Sequence, residues 1–244
     1  MNFQTLLFDV DDTLLDFQAA EDQALQRLFR EKKVAWSPAI KEAYQQVNQQ
    51  LWRDYELGKI SRNEVTDTRF GKFFATLNQR VDSPKMDQQY RSYLAQGSQL
   101  LANSREIVAD LAQKADLYIV TNGVSDTQRN RLTKAGLLPY FKDIFVSEET
   151  GYQKPMKEFF DYVFQRIPNF KASETVIIGD SLTSDIQGGQ GVGIATVWLN
   201  PEQQPLLPGI TPTYEIRELA ELYQILGSDN PLANRKKSLA TGQK

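Results

Sequence analysis

The chain contains no cysteine and no histidine. That double absence excludes disulfides, thiolate nucleophiles, imidazole general bases, and zinc sites built from thiolate or imidazole. Nucleophilic or acid–base chemistry therefore falls to carboxylates, lysine and hydroxyls. A large excess of either charge is missing too: 28 Lys and Arg stand against 31 Asp and Glu, for a net charge of -3. Such a balance gives no general attraction to nucleic acid or to an anionic membrane, so an anionic ligand needs a local site. No apolar run approaches the length of a membrane span. The opening MNFQTLLFDVDD carries no basic stretch, and acids interrupt its apolar run, so it does not read as a secretory signal. A cytoplasmic protein is the expectation. Internal repeats are absent as well.

What is present is a series of short apolar runs, each ending in a polar cluster. TLLF precedes Asp9, DLYIV precedes Thr121, DIFV precedes Ser147, TVIIG precedes Asp180, and IATVWL ends at Asn200. None alternates polar with apolar, as befits strands buried on both faces of a parallel sheet. Helical patterns separate the later runs. Ser104 suits the start of a helix carrying Ile107, Val108, Leu111 and Ala112 on one face, and Ser125 the start of one stopping at Gly136. Alternation of this kind predicts a doubly wound, Rossmann-like α/β sheet.

A long segment, residues 16–97, separates the first strand from the second and shows no strand signal. It reads as about four helices. The first carries Phe17, Ala20, Ala24, Leu28 and Phe29 on one face, with Asp16 suited to its N-cap. The second opens at Ser37-Pro38 and the third with the capping box Ser61-Arg62-Asn63-Glu64; the fourth opens at Ser83-Pro84 and stops by Gly97. An insertion this long is no simple crossover. The expected organisation is an α/β core from 1–15 and 98–227, an all-helical inserted domain from 16–97, and a polar, basic, disordered tail from 228–244.

The sequence FDVDDTLLDF poses the chemical question. Alternate side chains of a strand share a face, so Asp9 and Asp11 project together past the sheet edge while Val10 turns back. Seen alone, such a pair serves equally as an Asx-turn or a helix cap. Other strand ends point further, because in a parallel sheet they meet on one rim: Thr121-Asn122-Gly123, Lys154, and Asp180 with Asp185 in GDSLTSD. Asp12 is expected to face away from this group.

Taken in order, these residues resemble the motifs of the haloacid dehalogenase-like superfamily of aspartyl-phosphate phosphatases. Asp9, Asp11 and Thr13 match its DxDxT after an apolar strand. Thr121 matches the Ser or Thr ending a strand, Lys154-Pro155 the lysine motif, and Asp180 with Asp185 the GDxxxxD motif. The resemblance implies Asp9 as nucleophile and Asp11 as general acid and base. It also implies phosphate binding by Thr121, the Asn122 amide and Lys154. Mg²⁺ would be held by Asp9, the Asp11 carbonyl and Asp180, with Asp185 acting through water or orienting the others. The helical insertion corresponds to the superfamily's cap.

Departures narrow the class. Haloacid dehalogenases lack the second Asp, kept here as Asp11; sugar phosphomutases use a cap His, absent here; and the cap lysines Lys32 and Lys33 read as solvated helix-end charges rather than Schiff-base formers. The texture of FDVDDTLLDF, VTNG, SEETGYQKP and GDSLTSDIQGG is similar to the bacterial pyrimidine 5′-nucleotidase branch. A nucleoside monophosphate is thus the expected partner, without nucleic acid or membrane. Phosphatases of small phosphorylated acids or sugars, and a non-catalytic phosphometabolite-binding module, stand as alternatives. Of the cap aromatics, Tyr44, Trp52, Tyr55, Tyr90 and Tyr93 are placed either to stack on a base or to fill the cap's own core.

Overall fold

A computed structural model describes residues 2–232. Six strands, β1 (Thr5–Phe8), β2 (Asp116–Thr121), β3 (Asp143–Val146), β4 (Thr175–Gly179), β5 (Ala195–Leu199) and β6 (Tyr214–Ile216), form one sheet. The order is β3-β2-β1-β4-β5-β6, and every pairing is parallel. Central strand β1 pairs Phe8 with Ile119 of β2 on one side and Ile178 of β4 on the other. Leu6 and Phe8 face one apolar layer, shared with Ile107, Val108 and Leu132, while Leu7 faces the other, shared with Phe159, Phe160 and Val163. Burial on both faces explains why the strands read as unbroken apolar runs. β6, only three residues long, carries too little pattern to be read in advance.

Helices α1 (Phe17–Glu31), α2 (Pro38–Glu56), α3 (Arg62–Thr76) and α4 (Ser83–Leu94) follow β1 before the chain returns to the sheet. Asp16 caps α1 by accepting from the Ala19 N–H at 2.8 Å, and Ser61 with Glu64 forms the reciprocal box of α3. The fourth helix opens at Ser83 as expected, and its cap is Asp82. Asp82 accepts from the Lys85 N–H at 3.1 Å, whereas the Ser83 hydroxyl is drawn away to the Gly71 N–H of α3 at 2.9 Å. The four helices enclose a core of their own that includes Leu28, Phe29, Tyr44, Phe70, Phe73 and Tyr90. Phe29 stacks on Phe73 at 5.4 Å between centroids. Each such buried side chain contributes about 1.5–3 kcal/mol.

The two chain segments joining insertion to sheet lie side by side. Leu15 bridges Leu100, and the Asp16 N–H donates to Gln99 O at 2.9 Å. Beyond them run α5 (Ser104–Leu111), α6 (Ser125–Ala135), α7 (Ser147–Thr150), α8 (Lys157–Phe164), α9 (Gln187–Gly191) and α10 (Leu222–Leu226). Ser104 does not cap α5: it is already helical, and its hydroxyl donates backwards to Leu101 O at 2.8 Å. α6 ends at Gly136 with φ 69°, the left-handed stop that glycine permits. The expected disordered tail lies outside the described residues from 233 onward. Its first residues, however, pack back, with the Ser228 N–H on Tyr223 O and Leu232 against the sheet's core.

Candidate active site at the carboxyl edge of the sheet

Asp9 follows β1 directly, and its N–H donates to Ile178 O at 2.9 Å, so the β1–β4 ladder still holds its backbone. Chain order reverses on either side of β1, and the crevice at such a switch point is where open α/β sheets bind ligands. A cavity of ≈ 210 Å³ lies there, lined among others by Asp9, Asp11, Thr121, Asn122, Lys154 and Asp180. Asp185 sits behind them, wholly buried. Residues from four separate strand ends thus converge.

Lys154, only 1% exposed, spends all three ammonium protons: on Asp9 Oδ1 at 2.7 Å, on Asp185 Oδ1 at 2.6 Å, and on Val120 O at 2.8 Å. Burial by itself would lower this lysine's pKa, but Asp185 and Asp9 together hold it above the ordinary value. Asp9 is pushed up to about 7 by burial, against the pull of Lys154 and with added repulsion from Asp185 and Asp11. Asp180 is raised well above the carboxylate range, first by burial, then by Asp9 and Asp185. Oxygens of Asp9, Asp180 and Asp185 lie within 4.8 Å of one another. One lysine cannot neutralise three carboxylates.

Backbone geometry sustains this crowding. A Cβ on Gly179 would fall 2.1 Å from Asp185 Oδ2, so only glycine lets β4 pass so near. Asn122 uses its side chain rather than its peptide to fix Lys154: Nδ2 donates to Lys154 O, and the Lys154 N–H donates to Asn122 Oδ1, both at 2.9 Å. Gly123 leaves room for Gln128, whose side chain would otherwise meet a Cβ at 2.7 Å.

Gln128 and Arg131 were not singled out from the sequence, yet both grip Asp11. Gln128 Nε2 donates to Asp11 Oδ2 at 2.8 Å, and Arg131 Nη1 to Asp11 Oδ1. Three apart on α6, they share its inward face. The available signal was two polar residues on the buried side of a helix that starts at the Thr121 strand end. Asp12 also departs from expectation. With φ at 50° it bends back to line the cavity, its carboxylate accepts from the Phe17 N–H at 3.0 Å, and burial raises it to about 6. From the helical insertion, Phe17, Trp52, Glu56, Arg69 and Arg91 reach the same cavity. Glu56 accepts from the Thr183 hydroxyl at 2.8 Å, and burial raises its pKa.

Comparison with known proteins places this geometry in a family. The sequence profile of the haloacid dehalogenase-like hydrolases matches residues 3–193. The HAD-hydrolase YfnB of Bacillus subtilis is 53% identical over 95% of this chain and 98% of its own. Its magnesium-bound crystal structure superposes with a TM-score of 0.88 over 93% of this chain and 99% of that one. Pyrimidine 5′-nucleotidase PynA of Streptococcus pneumoniae is 43% identical over 93% of this chain and 96% of its own. Pyrimidine 5′-nucleotidase YjjG of Escherichia coli is 34% identical over 93% of this chain and 99% of its own. Profile, relatives and fold agree, and the chain belongs to the haloacid dehalogenase-like hydrolases.

Proposed function

We propose that this hydrolase is a Mg²⁺-dependent phosphomonoesterase that works through an aspartyl phosphate and acts on pyrimidine nucleoside monophosphates. The observation that carries the reading is the state of Asp9: Oδ1 accepts a hydrogen bond from the Lys154 ammonium at 2.7 Å, while Oδ2 makes no hydrogen bond among the described residues. A carboxylate oxygen open to a cavity at a strand end is placed to attack phosphorus. The nucleotide assignment draws on two relatives that are pyrimidine 5′-nucleotidases.

The donor set fits the metal. Asp9, Asp180 and Asp185 offer only carboxylate oxygens, and Lys154 leaves two of their three negative charges uncompensated, which suits a hard dication. Asp9, Asp180 and the Asp11 carbonyl would hold it, with Asp185 orienting them. When bound, Mg²⁺ neutralises charge on the phosphoryl oxygens.

This chain's own groups carry the steps. Asp9 Oδ2 bonds to phosphorus as the ester P–O bond breaks, and Asp11 passes its proton to the departing alkoxide. Asp11 then takes a proton from water, whose oxygen displaces Asp9 from phosphorus and frees inorganic phosphate. Thr121 and the Asn122 amide would donate to the phosphoryl oxygens throughout, while Lys154, its three protons committed to Asp9, Asp185 and Val120 O, would contribute its charge beside them. The helical insertion serves as the cap. Of its five candidate aromatics, Tyr44 and Tyr90 fill the cap's core, Tyr55 and Tyr93 are engaged elsewhere, and Trp52 lines the cavity. Phe17 lines the same cavity, and these two rings offer faces for a base.

A phosphate-release panel with Mg²⁺ tests this reading, comparing pyrimidine and purine monophosphates with phosphoglycolate and hexose phosphates. Pyrimidine monophosphates should be turned over fastest, and Asp9→Asn should lose more than about 10³-fold in rate. Faster turnover of phosphoglycolate or hexose phosphates would remove the nucleotidase assignment. Silence across the panel would remove phosphatase activity altogether.

A further inference from the structure

Tyr55, at the end of α2, touches the α/β core at two points. Its hydroxyl donates to Ser147 Oγ at 3.0 Å, and its backbone carbonyl accepts from Gln153 Nε2 at 2.6 Å. Both contacts lead to phosphate-binding residues. Gln153 directly precedes Lys154. The Ser147 hydroxyl donates in turn to Asn122 O at 3.3 Å, and across that peptide unit the Gly123 N–H donates to Thr121 Oγ1 at 3.2 Å. The donors run head to tail from the cap to the cavity, so each bond polarises the next.

At the far end the arithmetic of lone pairs matters. Thr121 Oγ1 accepts from Gly123 N–H and also from Gln128 Nε2 at 3.1 Å. A hydroxyl oxygen has two lone pairs, and both are taken. The Thr121 proton is therefore left to donate outward, into the cavity that this residue lines. A fixed donor is what an anionic phosphoryl oxygen requires.

We propose that Tyr55 is a positioning residue: through Ser147 and the Asn122–Gly123 peptide, docking of the cap sets Thr121 as a phosphate donor. The proposal rests on the phosphatase reading above. Coupling between sites is reciprocal, so bound phosphate also strengthens the cap's hold at Tyr55.

Tyr55→Phe keeps the ring packed beside Trp52, Leu51 and Val65 and removes only the hydroxyl. The readout is the dissociation constant of inorganic phosphate, measured by calorimetry with Mg²⁺, alongside the melting temperature. One net hydrogen bond corresponds to about a 2- to 10-fold weakening. Ser147→Ala should show the same loss, and the double variant no more than either single one. Unchanged phosphate affinity in a folded Tyr55→Phe, or additive losses in the double variant, would overturn the proposal. If Tyr55→Phe does not fold, Ser147→Ala decides alone: weakened phosphate supports the relay, and wild-type affinity refutes it. Failure of the nucleotide panel leaves this measurement standing, whereas a wild-type protein that binds no phosphate ends both readings.

Discussion

Lys154 sets its ammonium 2.7 Å from Asp9 Oδ1, and the same nitrogen lies 2.6 Å from Asp185 Oδ1. A single buried cation thus ties the residue after β1 to the helical turn that follows β4. Both partners are out of water, so the arrangement is stable only while every member is present.

Lys154→Met should therefore destabilise the fold by about 3–5 kcal/mol, since it strands two buried carboxylates without a partner. Urea unfolding near neutral pH reads this directly. The loss should shrink toward about pH 5, where Asp9, raised to about 7 by burial, is protonated. A change under about 1 kcal/mol at both pH values would show that the bridge holds nothing together.

The metal-free protein should lose stability as pH rises. Asp9 binds its proton more tightly folded, at about 7, than its ordinary 3.8 allows in the unfolded chain. Its contribution is fully present below 3.8 and lost as pH climbs toward 7. A dication replaces the proton, so the rise in melting temperature on adding Mg²⁺ should be larger at about pH 8 than at about pH 5. Equal shifts at both would argue against Mg²⁺ binding at the Asp9 carboxylate.

Gly179→Ala should weaken Mg²⁺ binding by about 10- to 100-fold, the usual effect of disturbing a group that orients metal ligands. The new methyl would fall 2.1 Å from Asp185 Oδ2 and drive that side chain out. Trp198 provides the signal, because its indole N–H bonds to Asp180 O at 2.8 Å. Titration of its fluorescence with Mg²⁺ gives the affinity, and a wild-type value would remove Asp185 from the metal's surroundings.

Asp11→Asn should slow hydrolysis of a nucleoside monophosphate by about 10²- to 10⁴-fold with little change in KM. Its 5′-alkoxide leaves only with a proton. p-Nitrophenolate leaves without one, so p-nitrophenyl phosphate should lose far less in the first step. Equal losses on both substrates would mean that Asp11 does not protonate the leaving group.

Much of the fold was legible because its signals are local. Apolar runs such as TLLF and TVIIG can be buried only from both sides, and Ser61 with Glu64 announces a helix start within four residues. The misreading of Asp12 arose where the backbone overrode side-chain alternation: a positive φ that no pattern of side chains reveals turned it inward.

The sequence by itself determined the order of the first five strands and of the four insertion helices and the placing of acids at strand ends, which follow from spacing along the chain, and the absence of His and Cys chemistry, which follows from composition. Tertiary structure alone decided that Arg131 and Gln128 hold Asp11, that Tyr55 reaches Ser147, and that Trp52 faces the cavity while Tyr44 and Tyr90 do not. Helical periodicity marks a side chain as inward-facing but is silent on what lies inward. That depends on which loops meet at the rim of the sheet, a matter of packing between segments far apart in sequence.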